Sequence, residues 1–517
     1  MFAMTRTAAL YGIEGIPVSV ELESARGLPA LNIIGLGDTA VKEAAERVRS
    51  AIVNSGFNYP SGRLTANLSP AWVRKKGTHY DLALAACVLV SENIIRHCSL
   101  EDKVFIGELS LNGRVMPVKG ILPMLSGICG SLAGTPEIYV PRDNCAEAAL
   151  SVDGDVKVIA VDDLRQLVEV LNGKREKEYA QAPEVADLED EVDQIPDFAD
   201  VKGHFAAKEA IVIAAAGGHG LLLIGSPGTG KSMLAKRIPG ILPSMSKKEQ
   251  LETSMVYSLI GKLDENQPII TRRPFRQVNK RATPVTILGG GHQPLPGEVS
   301  LAHNGILFMD EFLEFSREQI ELLRVPIEEG SVAIVRRSHA YVFPARFTLA
   351  AATNPCKCGY LGDKEKVCTC TQTEIDRYRS RLSGPIAERI DLCIEITRVD
   401  YKSLTGDVPA TGASTLEMRK KVEEAREIQR KRFAGTSITL NSQMEEGDLK
   451  KFCKLGEEEA EFMKKVYESQ HLSPRRYHKI LKVARTIADV RGSENIEMPH
   501  LAVALGYTSF LNANDRV

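Results

Sequence analysis

Hydrophobic and polar positions in the first third of the chain switch between strand-like and helix-like spacing. Residues 18–24 alternate with a period of two, which is typical of a half-buried strand. Residues 39–56 repeat apolar positions at helical spacing, and the apolar run 82–90 predicts a buried helix. The Asn-Gly pair at 112–113 predicts a hairpin turn. Together these elements predict a compact α/β domain over residues 1–172.

The pattern changes after a strongly acidic segment. Residues 184–200 contain eight acids and no Lys or Arg, and a block of like charge resists packing. We therefore predict a linker over 173–197. In 198–404, apolar strands alternate with helical stretches, which predicts a parallel sheet with crossover helices. After a Gly- and Thr-rich break, 405–517 has helical spacing throughout.

Composition narrows the class of protein. The 517 residues include 65 Lys and Arg against 67 Asp and Glu, and 44% are hydrophobic. A wholly disordered chain and a uniformly basic nucleic-acid binder are therefore excluded, although a local basic surface is not. The N-terminus lacks the apolar region of a signal peptide, and no apolar run reaches transmembrane length. We expect a cytoplasmic protein with reduced thiols and no membrane partner.

A phosphate-binding pattern, G-x-x-x-x-G-K-[ST], occurs once, between an apolar strand and a stretch that can form a helix. Its glycines allow backbone N–H groups to face ATP phosphates, its lysine reaches the β- and γ-phosphates, and its serine holds Mg²⁺. The predicted nucleotide-binding residues are Gly225, Ser226, Pro227, Gly228, Thr229, Gly230, Lys231 and Ser232.

Two further apolar strands end in polar residues. The sequence ILFM at 306–309 leads into Asp310 and Glu311. We expect Asp310 to hold Mg²⁺ and Glu311 to polarise the attacking water, because phosphoryl transfer depends mainly on positioning and charge stabilisation. Asn354 follows the apolar run 348–353 and is expected to orient the water or contact the γ-phosphate.

Four of the ten cysteines lie within fifteen residues, in the pattern C-x-C-x9-C-x-C. Four thiolates suit tetrahedral Zn²⁺, although the usual spacing of each arm is C-x2-C. A structural zinc site is the favoured interpretation, and free thiols or a redox role are the alternatives. The predicted zinc ligands are Cys356, Cys358, Cys368 and Cys370.

A β-hairpin is predicted before Asn354, with Arg336 and Arg337 at its tip. Two arginines there can grip DNA phosphates regardless of sequence, although an ordinary solvated turn is an open alternative. Other basic stretches lie at 272–281 and 430–432, and WVRKKG at 72–77 offers a basic surface loop.

These motifs, in this order, resemble the YifB/ComM family of bacterial magnesium-chelatase-like AAA+ ATPases. The similarity includes PGEVSLAHNGILFMDEF, ATNPCKCGY, RYRSRLSGPIAERIDL and LSPRRYHKILKVARTIADVRG, and it extends into the N-terminal domain. It implies an AAA+ P-loop core with a four-cysteine insert over 356–370, a C-terminal helical lid, and a homo-oligomer, expected to be a hexameric ring.

The resemblance also implies two arginine roles. Arg389 matches the arginine finger, which acts in trans on the neighbouring subunit's γ-phosphate and stabilises charge on the transferring group. A surface arginine paired with Asp391 or Glu388 is the alternative. Arg475 matches the sensor-2 arginine of the lid, which contacts phosphates in cis or in trans, and the neighbouring Arg476 leaves that choice open.

The substrate on which this predicted ATPase acts is inferred from the resemblance alone. Members of the ComM type promote branch migration of transformed DNA, and in related AAA+ proteins the hairpin projects into the ring channel. The resemblance therefore implies an ATP-driven, helicase-like motor on DNA. The alternative is a chelatase-like ATPase that remodels a protein partner.

The N-terminal domain resembles the Lon-protease C-terminal, S5-like fold. Lon uses a Ser–Lys dyad, but the corresponding positions here are His79 and Leu122. Neither residue can replace its counterpart in that dyad. We expect no proteolysis, and interpret the domain as an oligomerisation or substrate-engaging module.

Overall fold

The structure is a computed structural model. It describes residues 2–96, 98–131, 136–152, 156–182, 195–264, 267–336, 339–399 and 413–512. The predicted boundary at 404–405 and residues 183–194 of the predicted linker lie outside these ranges. Within the described part, no helix is both long and apolar enough to cross a membrane.

The N-terminal part is an α/β layer structure. Its strands are β1 (Phe2–Tyr11), β2 (Glu14–Ala25), β3 (Ala30–Ile34), β4 (Arg63–Ser69), β5 (Lys103–Phe105), β6 (Glu108–Leu109), β7 (Val115–Met116), β8 (Glu137–Pro141) and β9 (Lys157–Val161). Its helices are α1 (Thr39–Asn54), α2 (Asp81–Ser91), α3 (Ile121–Ile128), α4 (Cys145–Ala149) and α5 (Leu164–Leu171). The large sheet has the order β3-β4-β2-β1-β5-β8-β9.

The local sequence signals of this part are confirmed. The alternating run 18–24 lies within β2, and the apolar run 82–90 lies within α2, which is buried over most of its length. The side chain of Asp38 accepts from the backbone N–H of Val41 at 3.0 Å and begins α1. The Asn-Gly pair at 112–113 turns the small hairpin β6–β7.

The second part is built on a parallel sheet. Its strands are β10 (Leu221–Gly225), β11 (Phe275–Gln277), β12 (Gly289–Gly290), β13 (Leu295–Pro296), β14 (Ile306–Met309), β15 (Ser331–Arg336), β16 (His339–Pro344), β17 (Thr348–Thr353) and β18 (Leu392–Ile396). Its helices are α6 (Phe205–Gly217), α7 (Lys231–Arg237), α8 (Lys247–Leu259), α9 (Pro284–Leu288), α10 (Glu298–Leu301), α11 (Arg317–Glu321), α12 (Arg324–Glu329), α13 (Gln372–Arg379) and α14 (Gly384–Ala387).

The sheet order is β11-β14-β17-β10-β18, and every pairing within it is parallel. The prediction of a parallel sheet with crossover helices is therefore confirmed. The hairpin predicted before Asn354 is also present, because β15 and β16 pair antiparallel from Ser331–Pro344 to Arg336–His339. This hairpin leads directly into β17.

The last part is helical. Its helices are α15 (Thr415–Arg432), α16 (Glu446–Phe452), α17 (Glu457–Ser469), α18 (Pro474–Val490) and α19 (Met498–Asn512). They pack on α6 and β18 through a core that is continuous with the parallel sheet. His219 ties the two parts together, because its ring nitrogens bond Asp391 at 3.0 Å and Thr486 at 2.8 Å.

The N-terminal part also packs on the ATPase-like sheet, through α3 and α8. The backbone N–H of Gly120 donates to the carbonyl of Ser258 at 3.1 Å. The Ser258 hydroxyl donates to the Glu147 carboxylate at 2.5 Å, and the backbone N–H of Leu122 donates to it at 3.1 Å. Burial raises the pKa of Glu147 despite these bonds.

Candidate functional site

The carboxyl ends of β10, β11, β14 and β17 meet at one edge of the parallel sheet, where ligands bind in this class of fold. β10 runs into the loop 225–232. Within the loop, Gly228 and Gly230 have φ angles of 80° and 84°, which residues with a Cβ rarely adopt. The two glycines therefore permit the tight turn that a phosphate-binding loop requires.

The ammonium group of Lys231 lies within this loop. It donates to the carbonyls of Gly225 at 2.6 Å and Ser226 at 2.9 Å, and to the side-chain oxygen of Asn354 at 3.2 Å. Burial lowers the pKa of Lys231, against the attraction of Asp310. The fold thus brings together Lys231 and Asn354, which are 123 positions apart in the sequence.

The acidic pair after β14 lies beside the same loop. The Ser232 hydroxyl donates to the Asp310 carboxylate at 2.7 Å, so two oxygen atoms suited to Mg²⁺ are adjacent. Glu311 has a φ of 50°, and its backbone N–H donates to Asp310 at 2.9 Å. A non-glycine residue in this conformation costs about 1 kcal/mol or more, and such strain clusters at functional sites.

Lys280 also lies at this edge of the sheet. The sequence alone does not indicate a role for it at the ATP site. It lies three residues after β11, which pairs with β14. Its ammonium forms an ion pair with the carboxylate of Glu311. The side chain expected to polarise water therefore has a cationic partner in the segment that follows the neighbouring strand.

Arg389 and Arg475 lie together, and their ion-pair partners are acids outside the phosphate-binding loop. The Arg389 guanidinium is 9% exposed and contacts Glu328 at 2.5 Å and the carbonyl of Pro385 at 2.6 Å. Arg475 is 64% exposed and contacts Glu388 at 3.3 Å and Glu328 at 4.0 Å. The alternative interpretation of Arg389 is a surface arginine paired with Asp391 or Glu388. In the described contacts its ion-pair partner is Glu328 instead, so that choice of partner is wrong.

The segment that carries Arg389 is held by a buried lysine of α18. Lys479 donates to the carbonyl of Ile390 at 2.6 Å and to that of Ala387 at 3.2 Å. Burial lowers the pKa of Lys479 to about 8. Arg389 and Lys479 also line a cleft of about 2160 Å³ between the sheet and the C-terminal helices. This volume exceeds that of typical small-molecule pockets.

The four clustered cysteines converge, as the metal interpretation requires. Their Sγ atoms all lie within 4.8 Å of one another. Cys356 is 3.3 Å from Cys358 and 3.6 Å from Cys368, and Cys358 is 3.5 Å from Cys368. A tetrahedral site with Zn–S bonds near 2.3 Å has sulfur atoms about 3.8 Å apart. The donor set therefore fits Zn²⁺ with only small adjustments.

The cysteine loop lies against the nucleotide-binding loop. A Cβ added to Gly359 would lie 2.7 Å from the ring of Pro227, so the two backbones are in close contact. The pKa of Asp363 is lowered to about 2 by the nearby Ser226 hydroxyl, by backbone amides and by Arg398. The sequence gave no direct signal for these contacts, because they depend on loops brought together by the fold.

The hairpin β15–β16 is exposed toward its tip and anchored at its base. Arg336 and His339 are exposed, whereas Arg337 lies outside the described residues. Tyr341 and Phe343 pack with Leu259 and with side chains from the β1–β2 turn. The hairpin is thus held by the N-terminal part, while Arg336 and His339, the described residues on either side of its tip, are exposed.

The basic stretch 272–281 is largely engaged within the protein. Arg273 contacts Glu249 at 2.9 Å, and Arg276 contacts Glu298 at 2.7 Å. In the stretch 430–432, Arg432 pairs with the buried Asp489. These arginines have intramolecular ion pairs, so neither stretch is wholly available for binding nucleic acid.

The two positions compared with the Lon dyad are buried. His79 bonds the carbonyl of Ala8 at 2.9 Å, and burial lowers its pKa to about 4. Leu122 is fully buried in α3. Neither side chain offers a nucleophile or a base at the surface of this part.

Sequence comparisons agree with the architecture. Family models described as magnesium chelatase subunit ChlI, as subunit ChlI of Mg-chelatase, and as the ChlI C-terminal region match residues 197–404, 20–144 and 412–508. The competence protein ComM of Haemophilus influenzae is 38% identical over 513 residues, 98% of each chain. The uncharacterized protein YifB of Escherichia coli is 39% identical over 505 residues, 98% of this chain and 96% of that one.

Proposed function

The chain belongs to the YifB/ComM family of magnesium-chelatase-like AAA+ ATPases, and we propose that it is an ATP-hydrolysing ring motor that acts on DNA in the cytoplasm. ATPase activity is the common property of the family. Action on DNA is the part of this proposal that goes beyond the ATPase activity shared by the family. In this proposal, residues 1–172 form a Lon-C-like module, 198–404 the AAA+ core and 405–517 a lid.

The edge of the parallel sheet supports the assignment of the ATP site. Backbone N–H groups of residues 225–232 bind the phosphates, and Lys231 contacts the β- and γ-phosphates. Ser232 and Asp310 hold Mg²⁺, which neutralises phosphate charge when it is bound. Glu311 polarises the attacking water once it leaves Lys280, and Asn354 orients that water next to Lys231.

The cluster around Glu328 supports action in trans. Two arginines that share one carboxylate beside a large cleft are suited to meet a neighbouring subunit's γ-phosphate. In a hexameric ring, Arg389 and Arg475 of one subunit complete the site of the next. The phosphate then replaces Glu328 as their anionic partner, and Lys479 keeps the Arg389 segment in place.

The observation that carries the DNA proposal is the position of the β15–β16 hairpin. Its first strand follows α12, which holds Glu328 and hence the two arginines. Its second strand runs into β17, which ends beside Asn354 and Lys231. A strand of DNA that moves the tip therefore acts on both halves of the catalytic machinery. The relative named as a competence protein supports the same partner.

A structural zinc ion is also part of the proposal. Cys356, Cys358, Cys368 and Cys370 hold it, and the ion fixes the loop that packs on Pro227 and Ser226. The zinc supplies cross-linking only, since four thiolates leave no open position.

Replacing Arg336 and Arg337 together by Ala is expected to abolish stimulation of ATP hydrolysis by DNA. Each arginine removed from a phosphate lowers the dependence of binding on salt by about one unit of slope. The ratio of the rate with single-stranded or branched DNA to the rate without DNA should fall to one.

Lys450→Ala is the matched control, because Lys450 is an exposed cation on α16 that pairs with the nearby Glu446. It should keep the stimulation ratio of the unaltered protein. If the double variant is still stimulated by DNA, the hairpin is not the coupling element.

Metal analysis of the purified protein should give about one zinc per chain. Cys356→Ser combined with Cys368→Ser should remove it, whereas Cys98→Ser, outside the cluster, should not. Because the loop contacts Pro227, the double variant should also bind ATP more weakly. A value far below one zinc per chain in the unaltered protein would contradict the metal assignment.

A second candidate function rests on the family models, which are named for magnesium chelatase. A chelatase-like ATPase would use the same ATP site and ring to remodel a protein partner. The two functions differ in one observable, because only the DNA motor responds to nucleic acid. A panel of single-stranded, duplex and branched DNA in the ATPase assay separates them.

A further inference from the structure

We propose that the loop Pro70–Gly77 of the N-terminal part binds single-stranded DNA together with the β15–β16 hairpin, and that Trp72 stacks on a base. The proposal rests on the proposed function, because the hairpin is taken as the primary DNA contact. It adds a second element, from a different part of the chain, to that surface.

Trp72 is the only tryptophan of the chain, and its side chain is 65% exposed. Along residues 72–75, exposed and buried side chains alternate. Val73 and Lys75 are buried, whereas Trp72 and Arg74 face outward. The indole and a guanidinium are therefore both exposed on this loop.

The loop that presents them is held from several directions. The backbone N–H of Asp38 donates to the carbonyl of Lys75 at 3.0 Å, and the backbone N–H of Gly77 donates to the Asp38 carboxylate at 3.3 Å. The Lys75 ammonium donates to the carbonyl of Pro70 within the loop. An exposed tryptophan on a fixed loop loses little conformational freedom when it binds a ligand.

The loop contacts the base of the hairpin directly. The Lys76 ammonium donates to the Tyr341 hydroxyl at 3.2 Å and lies 4.9 Å from the centre of that ring. Tyr11 packs against the same hairpin. Its ring stacks on that of Tyr341, with the two ring centres 5.0 Å apart, and its ring centre lies 6.1 Å from that of His339. The loop that carries Trp72 thus contacts, through Lys76 and Tyr341, the hairpin that carries Arg336.

The chemistry of this surface favours single-stranded DNA. Aromatic rings flanked by cations bind unpaired strands through base stacking and phosphate contacts, without sequence preference. Here Arg74, Lys76 and Arg336 supply the cations and Trp72 the ring. Leu36, which is 61% exposed and precedes the residue that bridges to Lys75, adds an apolar edge. The bases within a duplex would not stack on the indole, because their faces are already stacked on neighbouring base pairs.

The single tryptophan makes the test direct. Fluorescence excited at the long-wavelength edge of indole absorption, where the 13 tyrosines do not absorb, reports only on Trp72. The full-length protein is therefore titrated under this excitation with unlabelled oligo-dT and with a blunt duplex of equal length. Binding of each DNA is measured in parallel by anisotropy of an end-labelled strand. We expect oligo-dT to quench the fluorescence and the duplex to leave it unchanged.

Trp72→Ala should weaken oligo-dT binding about 5- to 150-fold, as expected for the loss of one stacked base. Trp72→Phe should retain most of the affinity, because it keeps an aromatic face. Leu416→Ala, at an exposed apolar residue of α15, is the control and should bind normally.

The possible results distinguish the proposed role of Trp72 from the proposed DNA motor. Oligo-dT that binds without changing the fluorescence, or that binds Trp72→Ala as tightly as the unaltered protein, overturns the role of Trp72 and leaves the DNA motor intact. Fluorescence that depends on protein concentration rather than on DNA assigns Trp72 to a subunit contact and likewise overturns it. Failure of every DNA to bind overturns the proposed function itself.

Discussion

Glu311→Gln is expected to lower the rate of ATP hydrolysis by about 10²- to 10⁴-fold, the contribution of a well-placed general base. The amide has the shape of the carboxylate but cannot accept a proton from the attacking water. Because Lys231, Ser232 and Asp310 are untouched, ATP should still bind. Single-turnover hydrolysis and binding of a fluorescent ATP analogue measure the two effects separately.

Glu314→Gln is the matched control for this prediction. Glu314 lies three residues after Glu311 in the same turn, and its carboxylate contacts Arg381 at 3.6 Å. Its replacement should leave both binding and hydrolysis near normal. If Glu311→Gln keeps more than a tenth of the normal rate, Glu311 is not the residue that polarises water.

Arg389→Ala is expected to lower the rate of hydrolysis by about 10³- to 10⁵-fold, as for other arginine fingers. The physical reason is loss of a fixed cation that stabilises charge on the transferring phosphoryl group. ATP binding should be weakened much less, since the phosphate-binding loop lies elsewhere. The measurement is again hydrolysis at saturating ATP.

Mixing variants tests whether Arg389 acts in trans. In a ring of randomly mixed Glu311→Gln and Arg389→Ala subunits in equal amounts, about a quarter of the interfaces combine an intact Glu311 with an intact Arg389. The mixture should therefore regain activity that neither variant has alone. If no activity returns on subunit exchange, Arg389 acts within its own subunit or only supports the fold.

The sequence was sufficient for the parts of the site that lie in contiguous motifs. Residues 225–232 form a glycine-dependent loop, and Asp310 follows a four-residue apolar strand, so local spacing predicts both. In a parallel sheet the carboxyl ends of all strands lie at one edge, so Asn354 is expected at the same edge as residues 225–232. In the structure Asn354 contacts Lys231 there.

The sequence was insufficient where one residue's role depends on a distant partner. Lys280 is one cation among many until β11 is seen to pair with β14. Glu328 is likewise an ordinary helical acid until α12 is seen to approach Arg389 and Arg475. The arginines of 272–281 were open to a nucleic-acid role, and only their ion pairs with Glu249 and Glu298 show that the fold uses them internally.

The measurement that tests the central claim most directly is steady-state ATP hydrolysis by the full-length protein with and without DNA. Single-stranded, duplex and branched DNA should be compared at one salt concentration, because phosphate contacts depend on salt. We expect single-stranded or branched DNA to raise the rate, and Arg336→Ala with Arg337→Ala to remove the increase. A rate that no DNA structure changes would contradict a motor on DNA and favour an ATPase that remodels a protein partner.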